Sequence, residues 1–103
     1  MYRVTTTKEF DKKFERLDAY IQNQIDDEIE QLKINPYVGR PLGYPFFREK
    51  KAKNYRFYYL IYEDYLAVFL ITLSNKKEQR LSIEKIKQLI SFYNEEIKKK
   101  LNS

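Results

Sequence analysis

Between residues 10 and 32 the apolar positions recur every three or four residues: Phe10, Phe14 and Leu17, then Ile21, Ile25, Ile29 and Leu32. That spacing predicts two amphipathic helices, with Asp18 placed to cap the second. The TTKE stretch before the first fits a capping box, Thr6 accepting from the backbone near Glu9 and Glu9 reaching back. Asn35-Pro36 ends the second helix, because a residue before proline avoids the helical region. The pair reads as an αα-hairpin with one apolar stripe and a charged outer face. Ahead of it, Tyr2-Arg3-Val4-Thr5 reads as a short strand.

All the glycines and prolines then fall between 36 and 45, in PYVGRPLGYP, a turn-rich connector. Beyond it the period changes to two. Tyr55, Phe57, Tyr59 and Ile61 alternate with Arg56, Tyr58, Leu60 and Tyr62, which predicts a strand, and Glu63-Asp64 supplies a turn. YLAVFLITL (65–73) is apolar at almost every position, as a strand buried on both faces must be. A further strand is expected around FFREKKAK (46–53), and so short a turn at Glu63-Asp64 makes the block an antiparallel meander. From about 82 to 101, Ile83, Ile86, Ile90, Tyr93, Ile97 and Leu101 return to helical spacing, with Lys98 to Lys100 suited to a helix C-terminus. The expected order is β-α-α-β-β-β-α: an α+β fold in a single domain, 1–103.

Composition changes this picture by exclusion. The chain has no histidine and no cysteine, which removes the commonest general base, a thiolate metal site and any disulfide framework. No metal or other cofactor is expected. With 43% hydrophobic and 34% charged residues the balance is that of a folded globular chain, not a disordered one. The N-terminus lacks the apolar core of a signal peptide, and the nine-residue run 65–73 is too short to cross a bilayer as a helix, so a cytoplasmic protein without a membrane partner is expected.

The net charge of +5 is unevenly spread. Residues 8–33 carry five basic and eight acidic side chains (−3), residues 46–56 five and one (+4), and residues 76–87 five and two (+3). Positive charge concentrated in the second half points to an anionic partner, with nucleic acid the first candidate.

The hairpin closing in LKINP, the glycine and leucine of VGRPLG, and then NYRFYYLIYEDYLAVFLIT together resemble the RelE/ParE superfamily of toxins from type II toxin–antitoxin systems. The matching core is Tyr55-Arg56-Phe57-Tyr58-Tyr59, the acidic turn Glu63-Asp64, the apolar strand Tyr65 to Leu73 and the basic stretch NKKEQR. The resemblance spans roughly residues 2 to 90. It implies an N-terminal strand and αα-hairpin packed on a small twisted antiparallel sheet with a basic concave face, and a C-terminal helix. It also implies a cognate antitoxin as partner. RelE-like members cut messenger RNA on the ribosome without a metal; ParE-like members inhibit DNA gyrase instead. A non-catalytic relative that binds RNA or a partner protein is the third possibility.

Under the nuclease expectation, Arg56 matches the family's strand arginine, a phosphate clamp whose planar guanidinium makes paired hydrogen bonds to phosphate oxygens. Arg48 and Lys50, two residues apart on a strand, share one face and resemble the family's paired basic residues; Lys50 is the catalytic candidate of the two and Arg48 an RNA contact. Lys77 is the third catalytic candidate, with Lys76 and Arg80 as RNA contacts beside it, and Lys51 and Lys53 as backbone contacts. The chain departs from the family late: Ser82 stands where ribonuclease members place a tyrosine, and the later Tyr93 has the spacing of a core residue. The acid–base pair must then come from lysine, arginine, Glu49 or a strand tyrosine such as Tyr58.

Overall fold

The computed structural model describes residues 1–102; Ser103, the last residue of the expected domain, lies outside the described residues. Five strands, β1 (Arg3–Thr6), β2 (Arg40–Tyr44), β3 (Phe47–Ala52), β4 (Tyr55–Tyr62) and β5 (Ala67–Asn75), form one sheet in the order β1-β5-β4-β3-β2. The meander β2-β3-β4-β5 is antiparallel throughout, and β1 joins it parallel to β5. The chain is thus a mixed α+β fold in which β1 is itself an edge strand of the sheet. The apolar run of the second half is central as its composition demands: every residue of β5 except Asn75 is buried.

Helices cover both faces. The expected hairpin, α1 (Lys8–Glu15) and α2 (Ala19–Ile34), packs Phe10, Ile25 and Leu32 onto Phe57, Tyr59, Val68 and Leu70. On the other face α3 (Gln79–Gln88) and α4 (Ile90–Asn102) bring Ile86, Tyr93 and Ile97 against Tyr58, Leu60, Phe69 and Ile71. Tyr93 is a core residue, its ring edge-on to Phe69 at 6.1 Å.

Local structure departs from the sequence expectations at three places, each for a tertiary reason. The cap of α1 is Thr7, not Thr6: Thr6 pairs with Leu70 in the sheet, while the Thr7 hydroxyl accepts from Phe10 N at 3.0 Å and donates to the Ile71 carbonyl at 2.6 Å. The connector contains a strand, β2, at the sheet's edge, where Pro41 is tolerated because its missing N–H costs nothing on the solvent side. The single helix expected from 82 is two, beginning at Gln79 and interrupted at Leu89 (φ −112°, ψ 12°). No proline or glycine marks that break; it lets Ile86 and Ile97 both reach the sheet.

Leu66, the residue that enters β5, lies in the left-handed region at φ 48°, ψ 51° and is 51% exposed. A branched side chain pays about 1–2 kcal/mol there. Leu66→Asn should therefore raise stability by about 0.5–1 kcal/mol, read as a higher urea midpoint at constant m-value. An unchanged or lower midpoint would mean that the leucine side chain contributes more than its exposure suggests.

Candidate functional site

Antiparallel register decides which side chains share the face of Arg56. Lys51 lies directly opposite Arg56, Glu49 opposite Tyr58, and Arg40 opposite Glu49, so Arg40, Glu49, Lys51, Arg56 and Tyr58 all project to the side that α3 and α4 cover. The C-terminal helices cover only one end of that face. At the other end a cleft of about 450 Å³ remains, lined by Val38 to Arg40, Glu49 to Lys51, Arg56 and Gln79.

Among the described residues Glu49 is the only carboxylate that lines the cleft, and it is 7% exposed. Its Oε2 accepts from Arg40 Nε at 2.7 Å and forms an ion pair with Arg40 Nη2 at 2.7 Å, and the Gln79 amide donates to Oε1 at 2.9 Å and to Oε2 at 3.1 Å. Arg40 from β2 and Gln79 from α3 thus both hold the carboxylate, and Arg56 is left out of the pairing. Among the described residues the side chains of Arg56 and Lys51 make no hydrogen bond or ion pair. Two cations directly opposite on neighbouring strands, without a counter-ion, oppose strand pairing.

The other sequence candidates are distributed differently. Arg48 and Lys50 do share a face, but it is the opposite one, under the helical hairpin. The Lys50 ammonium is 3.5 Å from Glu28 on α2. Arg48 donates to the carbonyls of Tyr37, Gly39 and Pro45, each at 2.8 Å, and its guanidinium stacks over the Tyr37 ring at 5.1 Å. It secures the segment that leads into β2, where Gly39 fits because a Cβ would meet the Tyr59 hydroxyl at 2.2 Å. Lys53 sits on the β3–β4 turn with its ammonium over Tyr20 at 5.4 Å, on the hairpin side of the molecule. Lys76 and Lys77 occupy a one-turn 3₁₀ segment between Asn75, paired with Tyr55, and Gln79, which lines the cleft. Both are exposed. Arg80 turns outward and pairs with Glu84 at 3.3 Å.

Tyr58 and Ser82 do not enter the cleft. The buried Tyr58 hydroxyl is 2.8 Å from Ser74 Oγ, and burial above all raises its pKa, so it stays protonated at neutral pH. Ser82 lines a separate groove with Glu9, Lys13 and Thr72. Sequence reasoning missed Arg40 and Gln79. Arg40 was hidden in a stretch whose glycines and prolines read as a connector, and Gln79 lies just ahead of the helix start inferred from apolar spacing.

A model of the ParE toxin of the type II toxin–antitoxin system parDE matches residues 4–87, four-fifths of the chain. The chain belongs to this toxin family. No curated relative matches the toxin by sequence. Its fold is that of solved RelE structures. A mutant of E. coli RelE in the free state superposes with a TM-score of 0.73 at 17% identity, covering 85% of this toxin and 97% of RelE. The toxin in the intact E. coli RelBE complex gives 0.67 at 18% identity, covering 73% and 96%. The RelBE2 complex from Mycobacterium tuberculosis gives 0.64 at 20% identity, covering 73% and 98%. No helix among the described residues is long and apolar enough to cross a membrane.

Proposed function

We propose that this toxin is a metal-independent endoribonuclease that cuts messenger RNA on the ribosome and so stops translation, and that a cognate antitoxin holds it inactive. The observation that supports this reading is the pair Arg56–Lys51, whose side chains make no hydrogen bond or ion pair, in one cleft with Glu49, the only carboxylate that lines it among the described residues. RNA cleavage of this kind drives a 2′-hydroxyl oxygen onto the adjacent phosphorus. The bond from phosphorus to the 5′ oxygen breaks, leaving a 2′,3′-cyclic phosphate and a 5′-hydroxyl. It needs cations for the charge that grows on the phosphorane, a base for the 2′-hydroxyl and a proton for the departing oxygen.

In this scheme Arg56 clamps the scissile phosphate, and Lys51 takes the cationic role that the sequence suggested for Lys50, whose ammonium is occupied by Glu28. Glu49 accepts the proton of the 2′-hydroxyl. Lys77 is assigned to the departing 5′ oxygen, and Lys76 with Arg80 to RNA or ribosome contacts. Arg48 and Lys53 support the architecture around the cleft. With an incomplete acid–base set, alignment of the substrate by the ribosome supplies much of the rate, since orientation alone removes a large part of such a barrier.

The second reading, inhibition of DNA gyrase, is favoured by the ParE description of the matching family and by Ser82 in place of a late tyrosine. Primer extension on messenger RNA in a purified translation reaction separates the two. Cuts confined to translated message support the nuclease. Intact message together with DNA-damage signalling on expression would establish gyrase as the target, and salt-sensitive RNA binding without cuts would leave a catalytically silent binder.

A further inference from the structure

A second cavity lies at the far end of β4. Arg56 stands near the start of that strand and Tyr62 at its end, about 20 Å apart along the backbone. The groove beside Tyr62 shares no lining residue with the cleft, and its volume of about 450 Å³ is in the range of small-molecule sites. Phe46, Ile61, Tyr62, Tyr65 and Ile90 make its lining mostly apolar, with the Tyr62 and Tyr65 rings 6.4 Å apart. Tyr62 is fixed from α4, its hydroxyl donating to Asn94 Oδ1 at 2.7 Å.

Two carboxylates complete the lining, both from the 3₁₀ segment that follows β4. The hydroxyls of Tyr2 and Tyr37 donate to the same oxygen, Glu63 Oε1, each at 2.5 Å, so Glu63 Oε2 has no partner among the described residues. Those two hydroxyls also hold the Glu63 carboxyl below the usual carboxylate range, which keeps it charged at neutral pH. The Asp64 side chain makes no hydrogen bond or ion pair among the described residues. Glu63 Oε2 and both Asp64 oxygens are therefore open to a donor.

Carboxylates beside aromatic faces select a cation, since the rings attract it through their quadrupole and the oxygens accept its N–H groups. The Tyr37 ring already carries the Arg48 guanidinium at 5.1 Å, which leaves Phe46, Tyr62 and Tyr65 for a ligand. Both carboxylates are exposed, so charge alone holds little and the ligand needs an apolar body as well. Lys98 lines the groove from α4, pairs with Glu95 at 3.9 Å, and disfavours a second positive charge. We propose that this groove binds a small organic monocation, a primary ammonium on an apolar body, with the ammonium on Glu63 and Asp64 and the body on Phe46, Tyr62 and Tyr65. The site is separate from the cleft and does not depend on the nuclease reading.

The probes are 2-phenylethylammonium and its neutral isostere 2-phenylethanol, titrated into the whole chain and followed by amide chemical shifts. The ammonium should bind about tenfold more tightly than the alcohol, with the shifts centred on Phe46, Tyr62 to Tyr65 and Ile90. Glu63→Gln and Asp64→Asn remove charge and keep shape, and the glutamine carbonyl still accepts from Tyr2 and Tyr37. Together they should bring the ammonium down to the affinity of the alcohol and leave the alcohol unchanged. In the wild type 1,4-diaminobutane should bind more weakly than butylamine, and Lys98→Met should remove the difference. Equal affinity of wild type for ammonium and alcohol would overturn the proposal, as would shifts centred on the Arg56 cleft. Undiminished ammonium binding by the double variant would overturn it too, and tighter binding of the diamine than of butylamine by the wild type would overturn the limit to one charge.

Discussion

Arg56→Ala is expected to abolish toxicity and to slow cleavage of translated messenger RNA by at least about 10²–10³-fold, the scale of losing one preorganised donor to a developing charge. The melting temperature should stay within about 2 °C of wild type. That second half of the prediction is what gives the first its meaning. The Arg56 side chain makes no hydrogen bond or ion pair among the described residues, so its removal breaks no internal contact of that kind. It also relieves the like-charge juxtaposition with Lys51 across the β3–β4 pair, a change worth a few tenths of a kcal/mol in favour of folding. Arg56→Lys should fall between, because an ammonium keeps the charge and loses the fork that grips two phosphate oxygens. Unchanged toxicity in a folded Arg56→Ala protein would remove the residue from the site. A melting temperature that falls in step with activity would make it a structural arginine instead.

The parts of the fold that were legible in the sequence are those in which local periodicity and burial agree. The hairpin α1–α2 and the strands β3, β4 and β5 follow from their apolar spacing, because each has a face that only one period can bury. What was not legible depended on partners distant in the chain. Thr7 caps α1 because Thr6 is committed to the sheet, and β2 exists because an edge tolerates the proline that marks it as a connector. The break at Leu89 belongs to two helices meeting one sheet surface, and nothing within the helix announces it. The site follows the same division. That Arg56 lies on a strand was readable; that its face is the open one depends on the register with β3 and on where α3 stops covering the sheet. Arg48 and Lys50 were correctly put on one face by their spacing, but a period of two says nothing about which face the helical hairpin will occupy.

Arg48 provides the converse prediction, a large loss of stability from a residue whose charge suggests RNA binding. Its guanidinium ties together three carbonyls that otherwise lack a common anchor: Tyr37 and Gly39 on the approach to β2, and Pro45 at the β2–β3 turn. Hydrogen bonds from a charged donor contribute more than neutral ones, and stacking on Tyr37 adds to them. Since these carbonyls are partly exposed and regain water when the arginine is lost, the net cost of Arg48→Ala should be about 2–3 kcal/mol. In a chain of this size that lowers the melting temperature by about 10–20 °C. Arg48→Lys should recover less than half of the loss, because one ammonium cannot reach three carbonyls in the fork's geometry. Loss of the anchor also loosens Gly39 and Arg40, which line the cleft, so activity should decline through positioning, and lowering the assay temperature should restore part of it. Were Arg48→Ala instead to melt like wild type while RNA affinity fell at every salt concentration, Arg48 would be a direct RNA contact and the Tyr37–Gly39 segment would need another anchor. Arg48 and Arg56 lie on neighbouring strands and are equally basic, yet the two substitutions should divide cleanly, one costing stability and the other chemistry. That division follows from which side of the sheet each faces and from what already occupies its donors.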